Sequence, residues 1–479
     1  MGQESAQEQR GRRKGEGGGQ DRGRAGKRGP QSEVFHTDVP EHPFDVILAR
    51  PTRQSVTASI LAYRDTDGYL EYGTKPGVYT NKTSTGQFRK DQPRQIALES
   101  LQPDTRYYYR LRHRPMGTSD FQAGADWTFH TQRSRGAAFT FAAQADSHLD
   151  ENVSPDVHSI TLANALTAKP DFLIDLGDTF MTDKRRGDFR DAFPQYLAQR
   201  YYFGLLCHSA PLFLVLGNHD GEGGSRHDGT RNGMAAWSND LRKRYFPDPR
   251  PDGFYSGNGT SDPVVGLLEN YFAWEWGNAL FIVLDPYWPT TGRDREDNWN
   301  WTLGAGQYRW LTKTLEKSGA AFKFVFIHHP VGAKGQPIRG GVEAARYNEW
   351  GGRNADGSEG FKEHRPGWAM PVHQLLVKNK VAVVFHGHDH MFAKEELDGV
   401  VYQLVPQPGR TRAGSPRSAQ EYGYIHGDVL GGSGYVRVKV GEGAARVDYV
   451  LSLSPRDETG TRKNGAVAYS YSVRSGAER

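Results

Sequence analysis

The apolar run Val381-Ala382-Val383-Val384-Phe385 leads directly into His386-Gly387-His388-Asp389-His390. A short run of this kind suits a strand buried on both faces. Three histidines within five residues then stand at its end. In a regular extended backbone His388 and His390, two apart, point to the same side. Gly387 lets the chain turn closely around whatever they hold. Alone, the stretch reads as well structurally as chemically; its weight comes from partners upstream.

Four other apolar runs end in the same residue types. Phe139-Thr140-Phe141-Ala142-Ala143 leads to Gln144-Ala145-Asp146-Ser147-His148. Phe172-Leu173-Ile174-Asp175-Leu176 leads to Gly177-Asp178, and Leu212-Phe213-Leu214-Val215-Leu216 to Gly217-Asn218-His219-Asp220. Phe322-Lys323-Phe324-Val325-Phe326-Ile327 leads to His328-His329. Carboxyl ends of strands are where α/β folds build their sites. Five such ends in one region are hard to reconcile with purely structural roles.

The chemistry fits two divalent cations held by imidazoles, carboxylates and an amide oxygen. Asp178, placed between them, can bridge and offset their repulsion. Asp146, His148 and His390 complete one site; Asn218, His328 and His388 complete the other. A water between two such cations ionises near neutral pH and becomes the nucleophile toward phosphorus. His219 then stands ready to protonate the leaving oxygen or bind a phosphate oxygen, with Asp220 expected to orient it.

Asp-x-His, Gly-Asp, Gly-Asn-His-Asp, His and Gly-His-x-His, in this order over 146–390, resemble the calcineurin-like metallophosphoesterase superfamily. The resemblance implies a four-layer αββα sandwich (α/β, α+β) and hydrolysis of phosphoric mono- or diesters, with the metal roles given above. With the front domain described below, the chain is similar to the purple acid phosphatase branch. Two departures matter. That branch carries a tyrosine three residues after the bridging Asp, where this chain has Met181, and it lacks the His of Asp-x-His, where this chain has His148. Ferric iron is therefore not implied; Mn, Zn or Fe(II) all suit the mixed N/O set. The family's Val-x-x-His pattern favours His328 over His329 as the ligand.

The 479 residues divide into four parts. Residues 1–42 read as a disordered basic tail. The first 32 hold eight Lys/Arg and four Asp/Glu with almost no apolar residues, a composition that cannot build a core. A solvated linker is favoured over a nucleic-acid contact. Residues 43–133 read as all-β, with short strand runs and turn residues between them. Within them Leu101-Gln102-Pro103-Asp104-Thr105-Arg106-Tyr107-Tyr108-Tyr109 resembles the tyrosine corner of a fibronectin type III-like sandwich. Residues 137–455 read as the catalytic domain, with helices over roughly 155–168, 188–203 and 306–317 and hairpin turns at Gly277-Asn278, Asp398-Gly399 and 441–443. Residues 456–479 are taken as a C-terminal tail.

Other features carry less. Cys207 is the single cysteine, so no intramolecular disulfide forms, and it reads as a small buried residue. His208, His364, His373, His386 and His426 read as packing or supporting histidines, and Asp285 as a cap on a hairpin edge. Arg226, His227, Arg231, Arg339, Arg346, Arg353 and Lys362 stand in long Gly-rich loops, where an arginine can clamp phosphate. Trp288, Trp299 and Trp301 serve packing or stacking. The substrate expected is a small phosphate ester. A nuclease is the second possibility, although beyond the tail the charge is near neutral, unlike a duplex binder; a non-catalytic binding protein is the third. No apolar run approaches the ~20 residues of a membrane span. The front domain suits a secreted or periplasmic enzyme, and the absence of an apolar leader leaves a cytoplasmic one open.

Overall fold

The computed structural model describes residues 34–185, 188–292, 297–330, 339–410 and 416–476. Residues 1–33 of the expected basic tail lie outside the described residues. Residues 34–42, assigned to that tail, instead lie on the catalytic domain. Phe35 bridges Asp150, the amide of His36 donates to the Leu149 carbonyl at 2.7 Å, and the Arg185 guanidinium covers the Phe35 ring at 3.7 Å.

Two sheets face each other in the catalytic domain. The first runs in the order Leu212–Leu214, Leu173–Asp175, Phe139–Gln144, Gly434–Val440, Ala444–Leu451 and Val467–Arg474. Its first three strands are mutually parallel and the others antiparallel. The last strand lies within the segment 456–479 read as a tail. Its alternating Tyr469 and Tyr471 pack on the core beside Val447 and Tyr449, and that burial draws the segment into the sheet. The second sheet has eight strands. At its centre Ala279–Val283, Phe322–Phe326, Val383–His386 and Val400–Leu404 are parallel neighbours, buried throughout except Lys323.

Period-two alternation decides which residues meet between the sheets. Phe139, Phe141 and Ala143 from one sheet face Phe281, Phe324, Phe326 and Phe385 from the other, joined by Phe172, Phe213, Trp274 and Trp276. The rings meet edge-on and stacked at centroid distances of 5.0–6.1 Å, as with Phe141–Phe281 and Phe326–Phe385. Burying each such ring contributes roughly 1.5–3 kcal/mol. The opposite faces meet helices. Ala142, Leu173 and Leu214 pack on the helices Pro155–Thr167 and Phe189–Cys207; Val325, Ile327 and Val384 pack on Gly304–Lys317 and Val372–Lys378. The result is helix, sheet, sheet, helix. The helix Met234–Tyr245 had no counterpart in the sequence reading.

The front domain is a β-sandwich with Leu70, Tyr107, Tyr109, Leu111 and Phe129 at its core. The Tyr107 hydroxyl accepts the Gln102 amide at 2.8 Å, closing the expected tyrosine corner. One face of this sandwich is fixed to the catalytic domain. Arg200, fully buried on the helix Phe189–Cys207, donates to the Ser59 hydroxyl, the Ser59 carbonyl and the Asp45 carbonyl, all on front-domain strands. The Tyr109 hydroxyl donates to the His208 carbonyl, and Arg50 pairs with Glu269 at 2.8 Å. Among the described residues no helix is long and apolar enough to cross a membrane.

Candidate metal centre

Five strands of the two sheets end at one rim, and the residues that follow converge there. Asp146 and His148 follow Phe139–Gln144; Asp178 follows Leu173–Asp175; Asn218, His219 and Asp220 follow Leu212–Leu214; His328 follows Phe322–Phe326; His388 and His390 follow Val383–His386. Regular strands would send the paired residues to one side. The structure differs. Asp146, His148, Asp178, His388 and His390 all have left-handed backbones, with φ of 60°, 39°, 54°, 80° and 57°. Such conformations cost on the order of 1 kcal/mol or more each outside glycine and cluster at functional sites. His388 and His390 therefore part company and serve different groups.

The first group is Asp146, His148 and His390. Asp146 Oδ1 lies 3.6 Å from His148 Nε2 and 3.4 Å from His390 Nε2. The second group joins His328 and His388, whose Nε2 and Nδ1 are 3.3 Å apart, with His329 beside them. Two imidazoles on one tetrahedral ion at ~2.1 Å place their nitrogens about 3.4 Å apart, so this spacing suits a shared cation. Asp178 stands between the groups: its Oδ2 is 3.3 Å from His328 Nε2 and 3.9 Å from His148 Nε2.

Surrounding hydrogen bonds leave the inward atoms available. His328 Nδ1 donates to the Leu176 carbonyl at 2.8 Å, which leaves its Nε2 turned to Asp178. His148 Nδ1 meets Asp150 at 3.2 Å. Asp146 spends Oδ2 on the His388 amide, and Asp178 spends Oδ1 on the His219 amide, at 2.8 and 2.7 Å. The remaining Asp146 Oδ1, His148 Nε2 and Asn218 Oδ1 are buried and have no hydrogen-bond partner among the described residues. Buried polar atoms left without a partner are costly unless something binds them, so the residues fit bound cations.

Close backbone approach makes two glycines necessary. A Cβ on Gly387 meets Ala145 Cβ at 2.8 Å and Asp146 Oδ2 at 2.9 Å, and one on Gly217 meets the Asp178 amide nitrogen at 2.0 Å. Burial alone pushes the Asp146 and Asp178 carboxyls up. The facing imidazoles overturn that and hold both well below the usual range, His390 and His148 for Asp146, His328 and His219 for Asp178. Burial lowers His148 and His328, yet the same carboxylates, with Asp150 for His148, raise them to about 10 and about 9. Two buried anions that draw positive charge onto their neighbours mark a cation site.

Asp220 does not orient His219. Its carboxylate accepts the backbone amides of Gly217, Asp178, Thr179 and Phe180, which ties the Gly-Asn-His-Asp turn to the turn carrying Asp178. The group that meets His219 is Asp183, whose Oδ1 is 2.9 Å from Nδ1; Arg226 in turn holds Asp183 Oδ2 at 2.7 Å. A carboxylate five residues after the bridging Asp is the only sequence trace of this arrangement. Asp150, two residues after His148, was equally readable and missed. Tyr287 was missed as well: its hydroxyl bonds His329 Nδ1 at 2.8 Å, and Trp301 lies against both rings.

The other candidates support the site or the packing around it. Arg339 pairs with Asp389 at 3.0 Å and covers Tyr422. Trp299 stacks on His364 and donates to Asn354, a packing role. His373 bonds Tyr402, His208 stacks on Trp127, and His426 meets Glu343. Asp285 accepts the Tyr287 amide at 2.7 Å and so sets the loop that carries that tyrosine. The stretch 331–338 lies outside the described residues.

Comparison with solved structures gives the same architecture over both domains. The chain is similar to the structure of PhoD (TM-score 0.63, 15% identity), with 91% of this chain and 93% of that one covered. It is also similar to purple acid phosphatase PPD1 from yellow lupin (Lupinus luteus) seeds (TM-score 0.59, 16% identity), with 89% and 73% covered. At these identities the likeness is one of fold. No curated protein matches the sequence. Residues 139–392, more than half of the chain and the span that holds every residue of the two groups, match the calcineurin-like phosphoesterase family. The chain belongs to the calcineurin-like phosphoesterases, with the two-domain fold shared by PhoD and purple acid phosphatase.

Proposed function

We propose that the chain hydrolyses small phosphoric esters with two divalent transition-metal ions. Asp146, His148 and His390 would hold one; Asn218, His328 and His388 the other; Asp178 would serve both. The observation that carries this reading is the position of Asp178 Oδ2, within 4 Å of an imidazole nitrogen of each group. Mn, Zn and Fe all suit the donor set. When bound, such a pair supplies a water that ionises near neutral pH and neutralises phosphoryl oxygens.

The protein's own groups do the rest. Asp183 accepts the Nδ1–H of His219 and fixes the ring; in the imidazolium form Nε2–H would give its proton to the departing oxygen and leave the neutral Nδ1–H ring on Asp183. Arg226 fixes Asp183 from behind. His329, aligned by Tyr287, stands beside His388 where a phosphate oxygen would lie. The rings of Tyr287 and Trp301 lie against His329 on that side.

The test compares phenyl phosphate, 4-nitrophenyl phosphate and the matching diesters after reconstitution with Mn, Zn or Fe. Hydrolysis is expected, and His219→Ala is expected to slow the phenyl ester more than the nitrophenyl ester, whose leaving oxygen needs no proton. Equal loss on both removes the acid role from His219. No turnover of any ester with any metal contradicts the proposal.

A further inference from the structure

At the end of the first sheet away from the metal centre, the two domains leave a cavity of about 450 Å³ between them. Its front-domain wall comes from two paired strands. Arg106 is the cross-strand partner of His130, and Tyr108 of Thr128. These four side chains share one face, because Tyr107, Tyr109 and Phe129 between them point into the sandwich core. The catalytic-domain wall is Leu166 in the last turn of the helix Pro155–Thr167, Lys169 and Pro170 just after it, and Ser209 and Ala210 before the strand Leu212–Leu214.

Charge at this cavity is one-sided. Asp171 lines it, but both of its oxygens are engaged by Arg133, at 2.7 and 2.9 Å, and one also by the Trp276 indole at 2.9 Å. Asp104 lies 3.9 Å from His130 Nε2. Arg106 and Lys169 are thus the cations that line it, and no ion pair involves either among the described residues. Lys169 also occupies a left-handed position, φ 51°, just past the helix end at Ala168. Glycine is the usual residue there; lysine sets a cation on the rim instead. The volume lies within the ~300–1,000 Å³ of small-molecule sites, and domain interfaces are where such sites are common.

We propose that this interdomain cavity is a second ligand site, separate from the metal centre, for a small organic anion: a ring bearing one phosphoryl or carboxyl group. The head group meets Arg106 and Lys169, and the ring lies against Tyr108, Leu166 and Pro170. Arg106 gives the bidentate contact that either head accepts.

The test titrates the metal-loaded full chain with phenylphosphonate and, separately, with benzoate. Two sites per chain are expected for at least one probe, and the probe that binds identifies the head group. Arg106→Gln combined with Lys169→Gly is expected to weaken one of them at least tenfold. Ester hydrolysis without the probe stays unchanged, since neither residue touches the metal centre. Lys169→Gly alone is expected to weaken the same site without lowering the melting temperature, because glycine relieves the positive φ; it serves if the double variant folds poorly. A single site for both probes, or two sites that these variants leave intact, overturns the proposal.

Discussion

His219 Nδ1 lies 2.9 Å from Asp183 Oδ1, and among the described residues no hydrogen bond joins its ring to Asp220, the neighbour in sequence. The two aspartates have different tasks. Asp183 is held by Arg226 and bonds the His219 imidazole; Asp220 binds four amides and ties the turn carrying Asp178 to the Gly-Asn-His-Asp turn.

Asp183→Asn is therefore expected to lower kcat about 10–100-fold, the usual cost of removing an outer partner of a site histidine. KM and metal content should stay near wild type, and the loss should be larger for esters with poor leaving groups. Asp220→Asn should differ by losing metal and lowering the melting temperature. Steady-state kinetics beside metal analysis separates the two; loss of metal in Asp183→Asn counts against its assigned role.

Gly387→Ala is expected to displace Asp146 or His388. Its new methyl meets Ala145 Cβ at 2.8 Å and Asp146 Oδ2 at 2.9 Å. Overpacking of this kind costs roughly 1–3 kcal/mol. Urea unfolding should show that loss, and metal affinity should fall with it. Wild-type affinity would show that the turn tolerates a side chain.

His158 is fully buried, stacks on Tyr202, and has neither nitrogen hydrogen-bonded among the described residues. Burial lowers its pKa to about 3. It is neutral in the fold, while the unfolded chain protonates it below about pH 6.5. The unfolded state therefore binds more protons between about pH 6.5 and the folded value, so stability is complete above that window and falls as pH drops through it, by up to about 1.4 kcal/mol per pH unit. Urea unfolding at several pH values should show a shallower acid decline in His158→Phe. Equal slopes would exclude the imidazole as a cause.

Arg200→Met should loosen the joint between the domains. The guanidinium is buried and donates to the Ser59 and Asp45 carbonyls of the front domain and the Tyr245 carbonyl of the catalytic domain. Removing it leaves buried carbonyls unpaired, at about 1–3 kcal/mol each. A lower melting temperature is expected, with limited proteolysis releasing the front domain earlier than in wild type. An unchanged cleavage pattern would place the joint's strength elsewhere.

Most of the layers were legible because they depend on local periodicity. Alternating aromatics such as Phe139, Phe141, Phe322 and Phe324 mark strands, and Ser154-Pro155 marks a helix start that the structure places at Pro155. The convergence of Asp146, His148, Asp178, His328, His388 and His390 was legible because each follows an apolar run. Geometry was not. The left-handed backbones of Asp146 and His390 answer to long-range packing, and no local pattern announces them. Asp183 and Tyr287 reach their histidines only after turns have folded, 36 and 42 residues away in sequence. The strand Val467–Arg474 escaped because most of its positions are exposed and its pattern is weak.

Asp178 is the residue on which the proposed two-metal site depends most, since its Oδ2 lies within 4 Å of an imidazole nitrogen of each group. The most direct measurement is therefore the metal content per chain of wild type and Asp178→Asn after reconstitution, taken with hydrolysis of an aryl phosphomonoester. The account predicts close to two ions and turnover in wild type, with fewer ions and collapsed turnover in the variant. Full metal content and activity in Asp178→Asn, or no bound metal in wild type, would contradict it.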